Sequence, residues 1–106
     1  MYFEWDEAKN HANLLKHGID FNDAVLMFQR PVLSLRDERL DYGEERWVSL
    51  GWIRTLVGVV VHTERRGHAV RIISARKATK REAKYYVQRI ENGRIENGLG
   101  APGESR

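Results

Sequence analysis

The stretch that most restricts what this chain can fold into lies between Thr55 and Tyr86, where three signals follow one another. Leu56-Val57-Gly58-Val59-Val60-Val61 is apolar at both alternating sets of positions, so it reads as the central strand of a sheet. Arg65-Arg66-Gly67 then forms a tight turn into a second strand-like stretch, residues 68–76, which makes the two an antiparallel hairpin. Thr79 with Glu82 three residues later is a capping box, so a helix opens just after Lys77 and Ala78. Within that helix Ala83, Tyr86, Val87 and Ile90 recur at the spacing of a buried face, while Arg81, Lys84, Tyr85 and Gln88 share another.

The rest of the chain supplies what this hairpin packs against. Tyr2 to Trp5 is a short strand, and Asp6 caps a helix whose apolar side carries Ala8, Ala12 and Leu15. Lys16, His17 and Gly18 end that helix, with cations at the negative end of its dipole and glycine in the left-handed position. A terminating role is the simpler account of Lys16 and His17, with a functional one as the alternative. Asp20 opens a second helix on which Phe21, Ala24, Val25 and Phe28 form the apolar stripe, and Pro31 stops it. Residues 32–37 alternate as an outer strand with one wet face, 38–44 connect, and 45–53 and 55–64 are the next strands. The expected fold is α+β: two N-terminal helices and a C-terminal helix packed on a small, mostly antiparallel sheet.

At 106 residues the chain is one domain. Residues 1–92 are expected to form it and 93–106 to be a flexible tail, because glycine, asparagine, proline and glutamate replace the apolar periodicity. The tail boundary cuts a tandem pentapeptide, Arg89-Ile90-Glu91-Asn92-Gly93 and Arg94-Ile95-Glu96-Asn97-Gly98, too short to be a solenoid. Without cysteine there are no disulfides, thiolate metal sites or thiol nucleophiles. The longest apolar run is too short to span a bilayer and the acidic start is unlike a signal peptide, so a cytoplasmic protein with no membrane contact is expected.

Charge is distributed unevenly. Residues 65–84 hold eight Lys or Arg against one acid, a net +7, whereas residues 1–64 sum to −4. A concentrated cationic patch is the footprint of a polyphosphate binder, and two of its arginines, Arg71 and Arg76, lie within a strand. The pattern does not decide which of the two faces a ligand, since Ile72 and Ile73 are consecutive and both faces carry a cation. No metal-binding or glycine-rich phosphate motif is present, so no metal or cofactor is expected.

Cleavage of RNA without a metal needs a group to accept the 2′-hydroxyl proton, a group to protonate the leaving 5′-oxygen, and cations beside the phosphate. His62, at the end of the central strand, is either a proton-transfer group or a strand-end histidine with a satisfied hydrogen bond. Tyr85 either takes part, by proton transfer or by stacking on a base, or is a half-buried aromatic beside Tyr86.

Phe3-Glu4-Trp5-Asp6, Lys9, Asn13, Lys16-His17-Gly18-Ile19, Phe21, Ala24, Glu45-Arg46, Gly51 and above all Arg71-Ile72-Ile73-Ser74-Ala75-Arg76-Lys77-Ala78 through Arg81-Glu82 and Tyr85 resemble the BrnT family of toxins from type II toxin-antitoxin pairs. The resemblance covers roughly residues 2–90. It implies a RelE-like fold, an endoribonuclease that inhibits translation, and neutralisation by a BrnA-like antitoxin that binds DNA, the toxin itself meeting DNA only through that partner. On that reading Arg71, Arg76 and Arg81 stabilise the phosphate and Tyr85 and His62 are the proton-transfer candidates. Lys77, Thr79, Lys80 and Lys84 position RNA, and Glu45 is either a base or an arginine's partner. The competing expectation is a non-catalytic module that uses the same basic patch to bind nucleic acid or a partner.

Overall fold

The structure, a computed structural model, describes residues 1–39, 41 and 43–97, the side chains at 66 and 94–97 excepted. Its elements in chain order are β1 (Tyr2–Glu4), α1 (Glu7–His17), α2 (Phe21–Ala24) running on into a 3-10 turn (Val25–Gln29), β2 (Leu33–Asp37), β3 (Arg46–Ile53), β4 (Leu56–Arg65), β5 (Ala69–Lys77) and α3 (Lys80–Asn97). The five strands form one sheet in the order β1-β5-β4-β3-β2, with β1 parallel to β5 and every other pair antiparallel.

This order dictates the layers. The chain leaves β1 at one edge and returns as β2 at the opposite edge, so α1, α2 and the 3-10 turn must cross a whole face of the sheet. There Phe21, Ala24, Met27, Ile53, Val60, Val70, Ile72 and Ala75 form the larger core, joined by Phe3, Trp5 and Phe28. After the meander β2-β3-β4-β5, α3 folds back over the other face and covers part of it through Tyr86, Ala78, Leu50, Val57 and Val59. Tyr86 is 1% exposed and its hydroxyl donates to the carbonyl of Pro31.

The central strand, the hairpin through Gly67 and the Thr79–Glu82 capping box all stand where the sequence places them. Three features differ. In α1 the buried residues are Asn10 and Asn13, while Ala8 and Ala12 are exposed and Leu15 is 76% exposed. The reason is that β1 pairs only with the first three residues of β5, so the outer edge of β5 beyond Arg71 lacks a neighbouring strand among the described residues. Asn13 fills that gap, its amide donating to the Ala75 carbonyl at 2.9 Å and accepting from the Ala75 N–H at 3.1 Å. Buried backbone needs such partners. The second helix tightens after one turn, and its fully buried residues, Phe21, Ala24 and Met27, fall at the three-residue period of a 3-10 helix. Gly51 permits this approach, since a Cβ there would stand 2.7 Å from Met27 Cγ. Finally, α3 continues past Asn92 to Asn97, through the first residues of the expected tail. The remaining tail residues, 98–106, lie outside the described residues.

Candidate active site

Arg71 and Arg76 stand five positions apart, so regular alternation would send them to opposite faces of the sheet. A bulge prevents this. His62 pairs with Ile72 but Val61 pairs with Ser74, leaving Ile73 as an extra residue in β5. Arg71 therefore shares a face with Thr63, Ser74 with Val61, and Arg76 with Val59. Arg71, Ser74 and Arg76 become one row on the face where α3 packs.

Because α3 covers only part of that face, the strands beside its N-terminus remain open as a cavity of about 530 Å³. Its floor is Leu35, Val48, Val59 and Val61, and its polar rim includes Ser74, Arg76, Asp37, Glu38, Arg39, Glu82 and His17. Two ion pairs organise the rim. Arg76 grips Glu82 with both guanidinium nitrogens, at 2.8 and 2.9 Å, and Glu82 also accepts from the Thr79 N–H. The Arg76 hydrogen bonds hold the Glu82 carboxyl down to about 2, against an opposing push from burial, and the same contact raises Arg76. Across the cavity Arg39 binds Asp37 through Nε and Nη2, both at 2.8 Å, and the Asp37 side chain is only 1% exposed. A bidentate guanidinium held by a carboxylate is fixed in plane, with the fork geometry that also matches a phosphate.

The cavity brings together some of the expected residues and leaves others apart. His62 is on the opposite face, 4% exposed, with Phe28 against its ring and its Nε2 2.6 Å from Ser49 Oγ. Burial pushes its pKa down to about 4, and its Nδ1 is buried with no hydrogen-bond partner among the described residues. Arg81, Lys80, Lys84 and Lys77 are exposed and have no ion-pair partner among the described residues. They border α3 and the end of β5 and do not line the cavity. Thr79 is occupied by the cap, accepting from the Glu82 N–H. Tyr85 is 40% exposed with the Arg89 guanidinium over its ring at 5.2 Å. Glu45 pairs with Arg36 at 3.3 Å.

His17, Asp37, Glu38 and Arg39 enter from elements that the cationic stretch does not contain. Only their joint presence in one cavity marks them. A larger concavity, about 600 Å³, lies farther along the sheet beside Glu4, Glu44, Glu45 and Glu64. Its carboxylates repel a phosphate, so size is a poor guide here.

The model of the family described as ribonuclease toxin, BrnT, of type II toxin-antitoxin systems matches residues 5–82, a span that contains every residue lining the Arg76 cavity. The chain belongs to the BrnT family. It is similar to the crystal structure of the Brucella abortus ribonuclease toxin BrnT, with 26% sequence identity over 76% of this chain and 99% of that one, and a TM-score of 0.59. A search of curated protein sequences returns no match. Membership of a BrnT toxin-antitoxin family implies an RNA substrate and an antitoxin partner. No helix among the described residues is long and apolar enough to cross a membrane.

Proposed function

We propose that this chain is a metal-independent endoribonuclease toxin with a RelE-like working surface, which cuts RNA in the Arg76 cavity, thereby inhibits translation in the cytoplasm, and is silenced by a BrnA-like DNA-binding antitoxin. The observation that carries the reading is the row Arg71, Ser74, Arg76, made cofacial by the bulge, of which Ser74 and Arg76 face a carboxylate-lined rim. Such a site has both things that transesterification of RNA needs: fixed cations for the charge that grows on the phosphate, and groups that take up protons. Arg76 holds the phosphate by exchanging Glu82 for a phosphoryl oxygen, and Arg71 extends the contact along the strand. Lys77, Thr79, Lys80 and Lys84 guide the RNA past the start of α3, with Arg81 and Tyr85 on the exposed side of the helix for phosphate contact and stacking. His62 takes no part in this scheme, since its ring lies beneath Phe28 on the far face.

The test is incubation of purified protein with single-stranded RNA in EDTA. Cleavage leaving 2′,3′-cyclic phosphate ends is expected, and Arg76→Ala should slow it by about a hundredfold or more. RNA that is bound but left intact would instead identify the non-catalytic module.

A further inference from the structure

Resting on the ribonuclease reading, we propose that His17 is the proton donor to the leaving 5′-oxygen. Acceptors are plentiful in the cavity and donors are scarce. Asp37, Glu38 and Glu82 are carboxylates, which at neutral pH take up protons and do not supply them. Arg36, Arg39 and Arg76 hold their protons throughout the working range. Ser74 is a very weak acid. An imidazole is the side chain that carries and releases a proton near neutrality, and His17 is the histidine that lines this cavity. His62 is on the other face, His68 follows Gly67 in the β4–β5 turn, and His11 is exposed in the middle of α1.

The fold holds His17 in place by a specific device. Asn13 and His17 are four residues apart, so they lie on the same side of α1. Asn13 grips both backbone groups of Ala75, the residue between Ser74 and Arg76, and also donates to the Ile19 carbonyl at 2.9 Å. The helix then ends at once, with Gly18 in the left-handed conformation and its N–H on the Leu14 carbonyl at 2.8 Å. One clamp therefore sets the last turn of α1 against the β5 edge and brings His17 to the Ser74–Arg76 rim.

The ribose 2′-hydroxyl gives its proton to a rim carboxylate, for which Glu38 is available, having no ion-pair partner among the described residues. The 2′-oxygen bonds to phosphorus, the bond from phosphorus to the 5′-oxygen breaks with its electron pair on oxygen, and the His17 imidazolium protonates that oxygen. The products are a 2′,3′-cyclic phosphate and a 5′-hydroxyl, with a neutral imidazole and a protonated carboxyl that exchange through water.

A leaving group that needs no protonation exposes the role. An oligonucleotide with one cleavable ribose is made in two forms, with oxygen or with sulfur bridging at the 5′ position, and cut under single-turnover conditions. His17→Gln should slow the oxygen form by about a hundredfold or more while leaving the sulfur form within roughly threefold of wild type. Added imidazole should restore oxygen-form cleavage to His17→Ala. Equal slowing of both forms, or none of either, overturns the assignment while ribonuclease activity itself stands. A wild-type protein that cuts neither form removes the ribonuclease reading, and this one with it.

Discussion

Two side chains respond to acid in separate ranges, and each reports on one face of the sheet. His62 is depressed to about 4 by burial, so the unfolded chain binds its proton first. Its stabilising effect is whole above pH 6.5 and is lost as pH falls towards 4, about 3 kcal/mol in all. Glu82, held at about 2 by Arg76, contributes stability that is present above its unfolded value of 4.5 and disappears as pH falls towards 2. Partial solvation reduces that contribution to on the order of 1–2 kcal/mol. Denaturant melts across pH 7 to 2 are expected to show both declines, with His62→Gln removing the upper and Glu82→Gln reducing the lower, to which Asp20, lowered by hydrogen bonds from Asn22 and Asn10, also contributes. A single decline, untouched by either substitution, contradicts this account. At this scale the sequence was informative where a residue acts through its neighbours in the chain: the Thr79–Glu82 cap is readable because it is local. It was silent on Glu82 as the partner of Arg76 and on His17 as a cavity residue, since both depend on tertiary approach.

Among the elements, α1 and β5 depart furthest from their patterns, and for one reason. Periodicity assumes that polar residues face water, but Asn10 and Asn13 are buried because their amides serve backbone groups and Asp20. The alanine and leucine stripe is left outside as a result. In β5 the extra residue Ile73 changes the count from which alternation is read, so the paired isoleucines were the visible trace of a bulge whose position the pattern could not fix. Asn13→Ala tests the clamp. Three hydrogen bonds are lost, two of them to Ala75, and the cost should be about 2–4 kcal/mol. Hydrogen exchange should quicken at the Ala75 amide. A melting temperature within roughly 2 °C of wild type would show that the edge is sealed by something else.

For the molecule as a whole, the +7 stretch does not act as a uniform patch. Arg76 is neutralised by Glu82 and Arg65 stands 3.4 Å from Glu4, while Lys77, Lys80, Arg81 and Lys84 carry unpaired charge near the start of α3. Affinity for RNA is thus expected to fall steeply with salt, and Lys80→Ala with Lys84→Ala should flatten the slope by about 1–2 on logarithmic axes. Binding titrations at several salt concentrations measure it, and an unchanged slope would move the phosphate path away from this helix. Architecture also has a consequence in time. The first strand cannot pair until the fifth exists, since Tyr2 meets Ala69, and the cavity rim draws on residues from His17 to Glu82. Pairings between such distant positions form late. A partly synthesised copy therefore holds the pieces of the cavity without its rim, which is complete only when nearly all of the family's matched span has been translated.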